Sequence, residues 1–201
     1  LMTNLSMSLV NALYNLQLMK IAGENGVAAY GAVMYVNFIF VATFLGYAIG
    51  CAPVISYHYG AGNHAELKNL YKKSMSIILV WGVILFGAAQ LLAPVLSKIF
   101  VGYNTGLYAM TLHGFRVYAI AFLIIGINIF GSSFFTALNN GLISAVISFL
   151  RTLVFQVILV LTLPLWFGIN GIWSAISIAE ALTLIMTTTF FVRQKDKYHY
   201  L

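Results

Sequence analysis

Between Val27 and Tyr57 the chain carries no charged side chain and reads VAAYGAVMYVNFIFVATFLGYAIGCAPVISY. As an α-helix at 1.5 Å per residue, these residues would extend about 46 Å, which exceeds the hydrocarbon core of a bilayer, roughly 30 Å thick. The stretch therefore predicts a transmembrane helix that tilts, bends or protrudes. Pro53 is a sufficient cause of a bend, because it removes one backbone donor and clashes with the preceding turn.

The composition of the whole chain agrees with this stretch. Of its 201 residues, 62% are hydrophobic and 7% are charged, whereas a soluble domain carries about 25% charged residues. In lipid only helices or closed barrels satisfy the backbone hydrogen bonds. The apolar runs are long and lack the alternation typical of barrel strands. The sequence therefore predicts an all-α membrane protein in contact with the lipid bilayer.

Six apolar runs predict six transmembrane helices. They cover residues 1–18, 27–57, 74–96, 117–138, 142–163 and 172–192, and residues 193–201 follow as a charged tail. Six spans place both ends of the chain on one side of the membrane. Because the loops and tail on that side carry more Lys and Arg than those on the other, the positive-inside rule predicts that both ends are cytoplasmic, in a cell (inner) membrane.

The residues after Pro53 predict the cytoplasmic exit of the second span. Tyr57 has the apolar ring and wet hydroxyl that suit a membrane interface. Gly60 and Gly62 permit a tight turn with positive φ. Residues 63–73 then predict a short, basic, amphipathic segment on the membrane surface.

Polar side chains recur at helical spacing within several of the apolar runs. Two explanations stay open for these stripes: hydrogen bonds between helices, worth about 0.6 kcal/mol each, or a water-lined cavity, because exposing several amides to lipid is costly. The stripes comprise Asn4, Ser8, Asn11 and Asn15 in the first run, Tyr30, Asn37 and Phe44 in the second, and Asn128, Ser132, Thr136 and Asn139 in the fourth.

Two ionisable residues, Arg151 and Glu180, lie deep within the fifth and sixth runs. Their positions are about 13 and 12 Å from opposite membrane edges, so their depths differ by only about 5 Å. Since consecutive antiparallel helices are usually neighbours, we expect the two side chains to pair. An intramembrane charge is a functional candidate; the alternative is a structural ion pair that fixes the helix order.

Other classes of function have little support in the sequence. It contains no phosphate-binding GxxxxGK[ST] motif, no cluster with metal-ligand spacing, and no nucleophile beside a base. The net charge of +6 reflects the loop bias, so we expect no nucleic-acid partner. A single cysteine, Cys51, allows no internal disulfide. We expect neither an enzyme nor a bound cofactor or metal.

Three stretches resemble the C-terminal lobe of the multidrug and toxic compound extrusion (MATE) transporters. They read AAYGAVMYVNFIFVATFLGYAIGCAPVISYHYGAGN (28–63), FFTALNNGLISAVISFLRTLVFQ (134–156) and LPLWFGINGIWSAISIAEALT (163–183). The similarity extends over essentially the whole chain and is greatest to bacterial members. It implies a twelve-helix protein made of two six-helix lobes, of which this chain is the second and the N-terminal lobe is a missing partner.

The resemblance implies the exchange of small organic cations for H⁺ or Na⁺ by alternating access. Pro53, Gly60 and Gly62 would then form a hinge near an inner gate. The candidates for the substrate and ion pathway are Glu180, Arg151, Asn11, Asn15, Asn37, Asn128, Tyr35 and Met34.

One departure from the family bears on the coupling ion. Some sodium-coupled members carry acids in the first and fourth helices of this lobe, and residues 1–20 and 117–138 contain none. The coupling carboxylate is then Glu180 or lies outside this chain. Two other functions stay open: a lipid-linked saccharide flippase of the same superfamily and a non-transporting membrane scaffold.

Overall fold

The computed structural model describes residues 2–201, with side chains from Ser6 onward, and in this range the chain is helical and free of strands. Leu1 and the side chain of Asn4, both within the first predicted span, lie outside the described part. The elements are α1 (Met2–Gly60), α2 (His64–Val101), α3 (Thr105–Ala119), α4 (Phe122–Ala137), α5 (Gly141–Phe149), a π-helical turn (Leu150–Val154), α6 (Phe155–Phe167) and α7 (Ile169–Tyr198).

A break at Gly23 divides α1 into two arms, residues 2–22 and 24–60. Gly23 has φ 63° and ψ −155°, a conformation that glycine adopts without the steric penalty of a side chain. The second arm stays helical through Pro53. Each arm contains one of the first two apolar runs of the sequence.

By length and hydropathy, four helices of the described chain can cross a membrane: the α1 stretch from Ser6 to Gly60, α2, residues 141–167, and α7. A fifth span results if α3 and α4, which meet at a bend of 47°, count as one. The break in α1 divides the first stretch in two. The chain is therefore an all-α membrane protein that forms a six-helix lobe, as the sequence predicted.

Two local predictions were wrong. The basic stretch after Asn63 is not a separate surface segment, because it forms the first turns of α2, which continues without interruption to Val101. The run 117–138 is not a single helix either. Residues 120 and 121 interrupt it, and α3 already begins at Thr105, within what the sequence analysis treated as a loop.

Three asparagines determine where helices begin. The side chain of Asn63 accepts a hydrogen bond from the Glu66 N–H at the start of α2. Asn104 and Asn140 accept in the same way from backbone N–H groups at the starts of α3 and α5. Such N-caps satisfy donors that the first helical turn leaves free. Before Asn63, only Gly62 of the two predicted turn glycines has positive φ, 68°, while Gly60 ends α1.

The central element of the lobe is α4, which contacts α1, α2, α5 and α7 and buries residues on all its faces. Close approach depends on two of its glycines. A Cβ on Gly126 would overlap Phe44 and lie 2.8 Å from Ile78 Cγ2, and one on Gly131 would overlap Thr187. Small residues at such contacts let membrane helices pack closely.

The residues after α7 fold back against the bundle. His199 has a left-handed conformation, φ 55°, and Tyr200 is fully buried. The Tyr200 ring packs against Tyr71 and Phe134, with centroids 5.1 and 4.9 Å away, and its hydroxyl donates to the Phe191 carbonyl at 2.9 Å. This aromatic cluster joins the start of α2 to the ends of α4 and α7.

Candidate functional site

A cavity of about 200 Å³ opens between the two arms of α1, the α3–α4 bend, the π-helical turn and α7. Its walls are aromatic, aliphatic and thioether side chains interrupted by polar groups. Among the described residues that line it, Arg151 and Glu180 alone carry a charge. The lining comprises Met7, Val10, Asn11, Tyr14, Tyr30, Met34, Asn37, Phe38, Val41, Tyr118, Ile125, Arg151, Thr152, Gln156, Ile176 and Glu180.

Arg151 and Glu180 form the ion pair expected from their depths in the membrane. Arg151 Nε lies 2.8 Å from Glu180 Oε1 and 3.1 Å from Oε2. The Glu180 side chain is 2% exposed and that of Arg151 is 17% exposed. The pair is thus nearly dry on the carboxylate side, while the guanidinium reaches the cavity.

Asn128 on α4 is the third member of this cluster. Its Nδ2 donates to Glu180 Oε2 at 2.7 Å and to the Glu180 carbonyl at 2.9 Å. Asn128 itself is fully buried and does not line the cavity. It therefore holds the carboxylate from the buried side, away from the cavity, through hydrogen bonds that do not involve Arg151.

The π-helical turn Leu150–Val154 positions Arg151. The Phe155 N–H bonds to the Leu150 carbonyl, five residues back, so this turn is wider than an α-helical one. Within this turn, the Thr152 hydroxyl donates to the Ser148 carbonyl at 2.7 Å, and such side-chain bonds compete with the backbone ladder and often bend helices. π-turns are rare and frequently occur at functional sites.

Two tyrosines connect the arms of α1 beside the ion pair. The rings of Tyr14 and Tyr30 stack with centroids 5.1 Å apart and an interplanar angle of 8°. Tyr14 donates to Gln156 Oε1 at 2.9 Å, and Tyr30 donates to Asn11 Oδ1 at 3.1 Å. The stack gives the cavity a flat aromatic wall with satisfied hydroxyls.

The cavity also contains an unused acceptor. Asn37 Oδ1 is buried and receives no hydrogen bond from the described part of the chain. A buried amide oxygen without a donor is costly, so this atom is a place where a donor from a ligand or a rearranged side chain would be favourable.

The structure brings together five of the predicted pathway residues and leaves others apart. Asn11, Met34, Asn37, Arg151 and Glu180 line the cavity. Asn128 contacts it only through Glu180, and Asn15 is exposed. Tyr35 is 66% exposed and stacks on Phe100 instead. The predicted hinge residues Pro53, Gly60 and Gly62 lie near or just beyond the C-terminal end of α1, outside the cavity lining.

The polar stripe of the fourth run has a structural explanation. Ser132 lies 2.9 Å from Ser144 and 2.7 Å from Ser148, measured between hydroxyl oxygens, and Thr136 donates to Ser144 at 2.7 Å. These bonds tie α4 to α5 and use the hydroxyls between helices. For Ser132 and Thr136, this supports the first alternative, hydrogen bonds between helices.

Sequence reasoning missed Tyr14, Tyr118, Thr152 and Gln156 as cavity residues. The side chain of Gln156 offered a signal, because it is an amide within an apolar run, five residues after Arg151. Tyr14 offered none, since its partner Gln156 is 142 positions away. In the described range no three His, Cys, Asp or Glu side chains come close enough to hold a metal ion.

A protein-family model described as MatE matches residues 1–162 of this chain. No curated protein matches it significantly. Among solved structures, the fold is similar to the outward-facing conformation of a multidrug resistance MATE family transporter of the MOP superfamily, with a TM-score of 0.90 and 21% identity. That match covers 100% of this chain and 45% of the other.

Two further structures show the same fold. An inward-facing multidrug resistance MATE family transporter matches with a TM-score of 0.90 and 21% identity, over 98% of this chain and 46% of the other. The third is a MOP superfamily transporter from Pyrococcus furiosus Vc1, whose binding pocket has reverse polarity that suggests a different function. It matches with a TM-score of 0.87 and 21% identity, over 97% of this chain and 44% of the other. The chain thus spans a little under half the length of these transporters.

Proposed function

This chain belongs to the MatE family, and from that premise we propose that it is the C-terminal lobe of a secondary transporter that exports organic cations in exchange for protons. The family and fold support membrane transport by a multi-pass membrane protein. Coverage of about 45% of the matched transporters is consistent with a second, complementary lobe. The substrate, the ion and the exchange mechanism are the proposal.

The observation that carries the proposal is an intramembrane ion pair that lines an otherwise uncharged, largely apolar cavity. With Glu180 ionised, the two charges of the cavity sum to zero; with Glu180 protonated, they sum to +1. A second positive charge in a low-dielectric cavity is unfavourable. Proton and substrate cation therefore exclude each other, which is the requirement for exchange.

The cavity walls suit amphipathic cations. Aromatic faces attract cations, and the Tyr14–Tyr30 stack presents such a face beside Glu180. Thioethers such as Met34 adapt to ligands of different shape. A flippase for lipid-linked saccharides would need several basic side chains to hold phosphates, and Arg151 is the single basic residue in the described lining.

The hydrogen bonds of Glu180 favour protons over Na⁺ as the coupling ion. A hard metal cation needs several oxygen ligands. The Glu180 oxygens instead face the Arg151 and Asn128 N–H donors, which repel a metal ion.

Alternating access would then move the lobe as one body. The chain matches an outward-facing and an inward-facing transporter with the same TM-score of 0.90. Transporters built from repeats commonly rock one unit against the other around a fixed site. In this proposal the protein resides in the cell (inner) membrane with both ends of this chain in the cytoplasm.

Dye transport into inside-out vesicles that contain the assembled transporter tests the proposal. We expect a proton gradient to drive uptake of a fluorescent cationic dye, a sodium gradient to drive none, and Glu180→Gln to abolish the proton-driven uptake. Glu24→Gln is the matched control, because the Glu24 carboxylate is exposed and outside the cavity. Absence of dye uptake under both gradients in the unmodified protein would overturn the proposed function.

A further inference from the structure

We propose that Arg151 is a tethered counter-cation that a substrate displaces from Glu180, so that the cavity admits one additional positive charge and selects monocations over dications. This inference rests on the proposed function and names the substrate class more closely. It assigns Arg151 a role in specificity that a purely structural ion pair would not have.

The contact between Arg151 and Glu180 allows another cation to replace the guanidinium. Arg151 reaches both carboxylate oxygens with Nε alone, and its two terminal nitrogens donate to no residue in the described chain. A two-pronged guanidinium–carboxylate pair is stronger and more fixed than this. The pair therefore lacks the second bond that would hold the guanidinium in place.

The carboxylate keeps its position when the guanidinium leaves. Asn128 holds Glu180 through bonds of 2.7 and 2.9 Å to its side chain and carbonyl, and neither bond involves Arg151. An incoming cation thus meets a carboxylate that is already oriented and needs only to replace the tethered one.

The displaced guanidinium has a destination in the same cavity. Asn37 Oδ1 lines it, is buried and has no donor in the described part of the chain. Arg151 lines the same cavity and is 17% exposed, and its wide π-turn gives the backbone an alternative to the α-helical ladder. The inference therefore assigns the Arg151 side chain two resting places, Glu180 and Asn37.

Charge counting gives the selectivity. Apart from the phenols of Tyr14, Tyr30 and Tyr118, which are neutral at pH 7, Arg151 and Glu180 are the titratable groups that line the cavity. A monocation raises the net charge from zero to +1, and a dication raises it to +2. Without Arg151 these sums fall to zero and +1.

Ethidium and propidium test this prediction, because they share one aromatic ring system and carry one and two positive charges. Binding is measured by fluorescence anisotropy on the assembled transporter, in nanodiscs of neutral phosphatidylcholine at pH 7.5. Coupling between close charge pairs at interfaces is 1.5 kcal/mol or more. We therefore expect Arg151→Gln to tighten ethidium binding about tenfold, and propidium binding by more.

Glu180→Gln should act in the opposite direction and weaken the binding of both dyes. Arg151→Lys keeps the positive charge and should therefore keep the preference for ethidium over propidium. If Arg151→Gln does not fold, the double variant still decides: compared with Glu180→Gln alone, adding Arg151→Gln should tighten the binding of propidium more than the binding of ethidium. A structural pair would instead make both single variants bind more weakly, and the double variant would recover equally for both dyes. Opposite effects of the two single variants on dye binding support the inference, and effects in the same direction overturn it.

A second variant tests the alternative resting place of Arg151. Asn37→Leu removes the acceptor, so it should weaken ethidium binding in the unmodified background but have no effect in the Arg151→Gln background. Equal effects in both backgrounds would remove Asn37 from the proposal. If the transporter binds neither dye and transports neither, the proposed function fails; if it transports ethidium but both single variants weaken binding, this inference alone fails.

Discussion

Removing one member of the Arg151–Glu180 pair should destabilise the protein by an amount that depends on which member is removed. Breaking a buried ion pair costs about 3–5 kcal/mol, because an uncompensated charge stays behind. Arg151→Gln leaves the carboxylate, which is 2% exposed, whereas Glu180→Gln leaves the guanidinium, which is 17% exposed and reaches the cavity. We therefore expect losses in the free energy of unfolding of about 4 kcal/mol for Arg151→Gln and about 3 kcal/mol or less for Glu180→Gln.

The double variant should recover most of this loss, to within about 1 kcal/mol of the unmodified protein, because replacing both partners of a buried pair is often nearly neutral. Unfolding in mixed micelles with increasing SDS, followed by circular dichroism, measures all three variants. The exposed Glu24→Gln should stay within about 0.5 kcal/mol. Losses that simply add in the double variant, or a larger loss for Glu180→Gln than for Arg151→Gln, would refute this reasoning.

Three further predictions concern packing, a turn and the tail. Gly114→Ala should cost about 1–3 kcal/mol in the same unfolding assay, since its Cβ would lie 2.6 Å from Trp173 Cε2, while Gly87→Ala, with open space around it, should not destabilise. Gly62→Ala should cost about 1–2 kcal/mol, because φ at this position is 68°; no loss would show that the turn rearranges. Burial, with smaller contributions from neighbouring phenols, raises the pKa of Tyr200. The packing of the Tyr200 ring should therefore contribute its full stabilisation below about pH 10, and this contribution should decrease as the pH rises further. In Tyr200→Phe, a tyrosinate absorbance titration at 295 nm should lose the amplitude of one tyrosine from its late part.

Features that depend on distance along a helix could be predicted from the sequence. The depth of Arg151 and of Glu180 follows from the fixed rise of an α-helix, and their contact followed from depth and chain order. The lengths of the apolar runs likewise predicted a six-helix membrane lobe, because the bilayer thickness sets how many residues a span needs.

Features that depend on rotation about a helix axis could not be predicted. Asn128 was recognised as polar, but which face of α4 meets α7 depends on the close contacts at Gly126 and Gly131. The bend after Ala119 has neither proline nor glycine at the break, so tertiary packing rather than local sequence must cause it. Tyr14 lines the cavity and donates a hydrogen bond to Gln156, 142 residues away, and no local sequence pattern predicts such a contact.

The π-helical turn at Leu150–Val154 contains one residue more than the α-helical turn it replaces. A helix advances 100° per residue, so everything after the turn is rotated by that angle relative to an uninterrupted helix. Deleting one residue between Ser148 and Phe155 would therefore restore a regular helix on one side while turning Arg151 or Gln156 away from the cavity. In an alignment, relatives without this wide turn should show a one-residue gap here, and that gap would separate members with the tethered arginine from members without it.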